Sequence, residues 1–80
     1  MSPLKDWLEN HDVRPAQLAM VAGVDAREVY RAATGLSGRI PRRILEAIAA
    51  IDTPQSAADL ETAWTAWRIK QASELRASLR

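Results

Sequence analysis

Residues 15–34 read Pro-Ala-Gln-Leu-Ala-Met-Val-Ala-Gly-Val-Asp-Ala-Arg-Glu-Val-Tyr-Arg-Ala-Ala-Thr, and this stretch decides the fold. Two short helices that meet at a sharp angle need a small residue where they cross and a glycine at the turn. They also need an apolar residue of the second helix wedged between them. Ala19, Gly23 and Val29 supply these in order. Pro15 suits a first helical position and Gly23 the left-handed residue just past a helix end, so a helix is predicted over 15–22, with Leu18, Ala19 and Val21 or Ala22 inward. Asp25 then caps the second helix, and Glu28 completes an Asp-x-x-Glu arrangement akin to a capping box. Val29, Ala32 and Ala33 face in, and Thr34-Gly35 ends the helix.

Upstream, Ser2 stands as N-cap and Pro3 at the first position of a helix with Leu4, Trp7 and Leu8 on one face, closed by Asn10 and His11. Downstream, a loop from Gly35 to Ile40 leads to Pro41, which opens a helix whose Ile44, Leu45, Ile48 and Ile51 make the strongest apolar stripe of the chain. Thr53-Pro54 marks a turn. No glycine or proline interrupts residues 57–79, which predicts a fifth helix about 34 Å long at about 1.5 Å per residue. Five helices and no strand make the chain all-α, and 80 residues fit one domain.

Composition removes several classes of function. With no cysteine there is neither a disulfide scaffold nor a thiolate metal site. The lone histidine, His11, has no second histidine or clustered carboxylates beside it and reads as an exposed helix-end residue, not a ligand or general base. No phosphate-cradling glycine loop is present. The expectation is a protein that is not an enzyme, with no metal, no cofactor and no small-molecule ligand. No apolar stretch approaches the roughly 20 residues of a membrane span, and the opening Met-Ser-Pro-Leu-Lys-Asp lacks a basic segment followed by an apolar one, so a cytoplasmic location is the default. The net charge of +1 conceals an uneven distribution. Residues 26–43 hold Arg27, Arg31, Arg39, Arg42 and Arg43 against Glu28 alone, while the rest of the chain is net negative. Such a run is either a solvated surface or a face for phosphates.

The twenty residues from Pro15 resemble the helix-turn-helix of the Cro and phage-repressor family, where small residue, turn glycine and wedge fall at the fifth, ninth and fifteenth places. Leu18, Val24 and Ala32 match its apolar places. Leu4-Lys5-Asp6-Trp7-Leu8-Glu9-Asn10 is similar to the family's first helix and Ile44 to Ile51 to the helix closing its domain, so the resemblance spans about residues 3–52. It implies a lambda-repressor-like helix-turn-helix domain followed by a long C-terminal helix. The function it implies is a transcriptional regulator that binds double-stranded DNA as a homodimer, on an inverted repeat read in the major groove. The family commonly has a small hydroxyl residue capping the motif's first helix, then a glutamine that touches a phosphate. Arg14 and Pro15 stand there instead, Pro15 cannot donate, and Arg14 and Gln17 become the candidate phosphate contacts of this segment.

With Val29 and Ala32 buried, helical geometry sends Ala26, Arg27, Tyr30, Arg31 and Thr34 to the opposite side, which the resemblance turns toward base edges. Arg27 and Arg31, one turn apart, can each give a bidentate bond to guanine O6 and N7, worth about 1–3 kcal/mol of discrimination. A GC-containing half-site is expected. Ala26 suits a thymine methyl and Tyr30 a base or a phosphate. Glu28 is either an acceptor for cytosine N4 or the capping partner of Asp25. Arg39, Arg42 and Arg43 suit phosphate clamping, helped by the backbone amides of Ser37 and Gly38.

On the last helix Leu60, Trp64, Trp67, Gln71, Leu75 and Leu79 form one stripe within about 120°, and Ile69 lies off it. The stripe folds back onto Leu4, Trp7 and the far side of the fourth helix, or pairs with its copy in a second chain, or divides the two tasks, Trp64 inward and Trp67 across. The candidate dimer interface is Leu60, Trp64, Trp67, Gln71 and Leu75. The leading expectation is a small dimeric repressor, controlled by its own concentration since the chain has no room for an effector domain. The rival is a protein-interaction module, such as an antitoxin or phage accessory protein, whose tryptophan-bearing helix grips an unlike partner. A nonspecific architectural DNA protein is a third, against which the low overall basicity argues.

Overall fold

The structure, a computed structural model, describes residues 2–79. Among them are five helices and no strand: α1 Pro3–Asn10, α2 Pro15–Ala22, α3 Ala26–Thr34, α4 Arg42–Ile51 and α5 Pro54–Ser78. None is long and apolar enough to cross a membrane. Local chemistry sets most of the ends. Ser2 Oγ accepts the Lys5 N–H at 3.1 Å with Pro3 behind it, and Thr53 Oγ1 accepts the Ser56 N–H at 3.0 Å with Pro54 in the first turn. The Thr53-Pro54 pair is thus a helix start, and α5 begins three residues earlier than the uninterrupted run from Ala57 indicated. Gly23 and Gly35 take left-handed conformations, φ +70° and +81°, as the ends of α2 and α3 require. In both, the next residue's N–H returns to the open carbonyl of the last turn, Val24 to Ala19 at 3.0 Å and Leu36 to Arg31 at 2.9 Å.

The expected box at the head of α3 does not close. Asp25 Oδ1 accepts the Arg27 N–H at 2.9 Å, and the Glu28 side chain is exposed and makes no hydrogen bond among the described residues. The box-like half at α2 comes from Gln17 instead, whose Oε1 accepts the Arg14 N–H at 2.9 Å.

One core joins all five helices. Leu4, Leu18, Val29, Ile44, Ile48 and Trp64 are its largest fully buried side chains. α5 packs against α1 and α4, and α2 against α3 and α4. One expectation fails here, on α4, and on α2 an alternative is decided. On α4 the buried positions are Ile44, Ala47 and Ile48, with Leu45 half-buried and Ile51 exposed at the end of the helix. On α2 Val21 points to solvent and Ala22 is the half-buried alternative. Ile40, read as loop, is buried and pins the segment before α4. α5 outruns the other four helices, which draws the chain out to 41 × 24 × 20 Å, and from Ile69 onward every described residue is exposed.

His11 does more than end α1. Its ring stacks on Trp7 with centroids 4.4 Å apart, its Nδ1 lies 3.0 Å from the Trp7 carbonyl, and Nε2 lies 3.1 Å from Asp52 Oδ2. The Ser56 hydroxyl donates to the same oxygen at 2.6 Å, so α1 is tied to the α4–α5 junction. The Ser56 bond above all, with smaller contributions from Trp7 and His11 and against the opposing effect of partial desolvation, holds the Asp52 carboxyl below its ordinary value of 3.8. A depressed carboxyl contributes stability that is fully present above the unfolded value and is lost as pH falls through the folded one. Asp52→Asn is therefore expected to melt lower than the parent at pH 6 and to fall less steeply between pH 5 and pH 2. Parallel melting curves in thermal denaturation would refute this.

Candidate nucleic-acid interface

α3 buries Val29 and Ala32 fully, which leaves one side of a nine-residue helix to solvent. Arg27, Tyr30, Arg31 and Thr34 occupy that side and are all exposed. Ala26 does not join them: it is half-buried against the core, because at about 100° per residue it lies only about 60° round the helix from the buried Val29. The expectation for Ala26 is therefore withdrawn. The Thr34 hydroxyl donates to the Tyr30 and Arg31 carbonyls at 2.9 and 3.3 Å, leaving its methyl and oxygen lone pairs as the outward groups.

Arg27 does not hang free. Its Nε and Nη2 donate to Asp25 Oδ1 and Oδ2, each at 3.3 Å, while its backbone N–H meets the same carboxylate. This hydrogen bonding and the positive charge hold the Asp25 carboxyl below its ordinary value. An exposed pair of this kind adds little stability, but it holds a long side chain in one place at the head of α3. Arg31, one turn on, has no such partner among the described residues.

The basic flank lies along the following segment. Arg39 is exposed in the loop, and Arg42 and Arg43 form the first turn of α4. Pro41 offers no side-chain cap there and no acid stands in that turn. Two cations at the positive end of a helix oppose its dipole, so helix stability does not account for them. Arg42 reaches Glu46 only at 4.0 Å, and Arg43 Nη1 lies 3.5 Å from the Gly23 carbonyl, which brings the start of α4 beside the α2–α3 turn. On α2, Arg14 is exposed, and Gln17, one oxygen engaged at the cap, keeps its amide NH2 outward. Of the two amides expected to help, that of Ser37 turns back to the Arg31 carbonyl at 3.4 Å. Only the Gly38 N–H lacks an acceptor among the described residues.

From the other side, α5 reaches the end of α3. Trp64 Nε1 donates to the Ala32 carbonyl at 2.7 Å, and Trp67 lies over Gly35. Arg68 Nε donates to the Gly35 and Ser37 carbonyls at 3.2 and 2.7 Å. The candidate dimer stripe divides accordingly. Leu60 and Trp64 are buried within the one chain, because α5 lies across α1, α4 and the end of α3, so these two are corrected to core residues, while Trp67 is half-buried and stays partly open, as in the divided alternative. Gln71 and Leu75 stay exposed beyond the globule, together with Ile69 and Leu79. Arg68 was not singled out from the sequence, where it follows two tryptophans on a helix and carries no signal of its own. No family model matches the chain, and no match to it arose among curated proteins or solved structures.

Proposed function

We propose that this protein is a sequence-specific double-stranded-DNA-binding regulator, not an enzyme, with α2 and α3 acting as a helix-turn-helix and α3 lying in the major groove. The observation that carries the reading is the outer side of α3. Arg27, Arg31, Tyr30 and Thr34 stand there exposed on a helix anchored by its opposite face, and the uncapped, doubly cationic start of α4 lies beside the turn. Arg27 and Arg31 read guanines. Tyr30 touches a neighbouring base or a phosphate, and Thr34 a base. Arg14, Gln17, Gly38, Arg39, Arg42 and Arg43 hold phosphates on either side.

A homodimer belongs to the same proposal, since a single module of this size reaches one half-site. With Leu60 and Trp64 inside the chain, the second copy meets the exposed turns of α5 through Gln71, Leu75 and Leu79. Repression by occupancy of a promoter is the simplest consequence.

Selection of random duplex DNA by the purified protein, followed by sequencing, is the test. An inverted repeat with GC-containing half-sites about one helical turn apart is expected. Arg31→Ala should then relax preference at one base pair, by about 1–3 kcal/mol. Arg42→Ala should weaken all sequences alike and lower the salt slope by about 1. An equal loss across sequences for Arg31→Ala would refute the groove assignment. If nothing is enriched, the exposed apolar end of α5 favours the second reading, a module that grips an unlike protein there.

A further inference from the structure

The segment between α3 and α4 is short of internal support. Leu36 is exposed at 77%, Gly38 has open space around it, and the buried Ser37 hydroxyl has no partner. Its far end is pinned by Ile40, buried in the core. At its near end one proton, that on Arg68 Nε, serves two carbonyl oxygens two residues apart, Gly35 at 3.2 Å and Ser37 at 2.7 Å. Two acceptors drawn to one donor close the backbone into a turn between them. They lie just past the C-terminus of α3, where the open carbonyls carry partial negative charge and a guanidinium is favoured. The adjacent Trp67 ring covers Gly35 from the same side of α5.

We infer that Arg68 is a positioning residue of the nucleic-acid face: it fixes the Gly35–Gly38 turn so that the Gly38 amide and Arg39 stand at a set distance from the outer side of α3. This rests on the DNA-binding reading above and adds to it a residue of α5 that reads no base. Its effect is on phosphate contact, uniform over sequences.

Two variants separate holding from charge. The amide nitrogen of glutamine is as many bonds from the backbone as Arg68 Nε, so Arg68→Gln keeps the donor and removes the charge. Arg68→Met keeps the stem and removes both. Without DNA, amide exchange of Leu36 and Ser37, whose N–H groups meet the Arg31 carbonyl, is expected to quicken about tenfold in Arg68→Met, the scale of one charge-assisted hydrogen bond. With DNA, Arg68→Met should weaken selected and random duplexes alike by about tenfold with base preference unchanged, while Arg68→Gln stays within about threefold. Equal weakening by both variants would make Arg68 a direct phosphate contact and overturn the inference. So would binding by Arg68→Met at the parent level. If the parent binds no DNA, the proposed function falls; unchanged amide exchange in Arg68→Met would then overturn the hold on the turn independently.

Discussion

Trp64→Ala is expected to destabilise the protein by about 3–5 kcal/mol, the range for removing a large buried aromatic. A domain of this kind has about 5–15 kcal/mol in total, so the loss takes a large share of it and brings a domain at the low end of that range close to its unfolding midpoint. Two losses combine. The ring is 1% exposed and packs where α5 crosses the core, so its removal leaves a cavity that the neighbouring helices fill only in part. Its indole N–H is also the partner of the Ala32 carbonyl at 2.7 Å, so truncation strands a buried acceptor in α3. Trp64→Phe separates the two by keeping most of the apolar ring and removing the donor; about 1–3 kcal/mol is expected. Urea denaturation at two protein concentrations gives the check. A residue inside one chain loses the same amount at both, whereas a residue between chains has an effect that depends on concentration.

Gly35→Ala is expected to cost about 2–5 kcal/mol, from left-handed strain of about 1–2 and overpacking of about 1–3. Gly23 and Gly35 have nearly the same backbone, φ +70° and +81°, but different surroundings. A Cβ on Gly23 meets nothing within 4 Å, and a Cβ on Gly35 would stand 2.9 Å from Trp67 Cη2. An indole is rigid and has a neighbouring tryptophan ring behind it, 6.2 Å away, so it yields poorly. Gly23→Ala therefore carries the strain alone, and the difference between the two variants measures the contact. Adding Trp67→Leu to Gly35→Ala should return the overpacking part, a coupling that a double-mutant cycle reads directly. Equal losses for the two glycine variants would show that the ring moves aside.

The parts of the fold that could be read in the sequence are those whose causes are local. Ser2-Pro3, Gly23 and Gly35 announce helix ends because caps are chemistry between neighbours. Thr53-Pro54 carried the same information, and reading it as a turn shortened α5 by its first three residues. Periodicity found the inner face of α3 and with it the outward positions of Arg27, Tyr30, Arg31 and Thr34. It failed at helix ends: Ile51 has the right phase but no neighbour to cover it, and Ala26 lies at the edge of the buried arc. On α5 the stripe was visible, yet where it passes from core to solvent depends on where four other helices stop. His11 with Asp52, and Arg68 with Gly35 and Ser37, are contacts between residues far apart in sequence, and nothing near any of them signals the partner.

The same separation orders the birth of the site. Ala32 waits for Trp64, and Gly35 and Ser37 wait for Arg68, so a growing chain that has completed α3 still lacks the groups that close its end. Helix formation within α3 is fast and local, but docking it needs a loop of some thirty residues to close first. A nascent or clipped chain that stops before Trp64 would carry Arg27 and Arg31 on an unfinished helix. The end of α3 is thus closed only in a chain translated through Arg68.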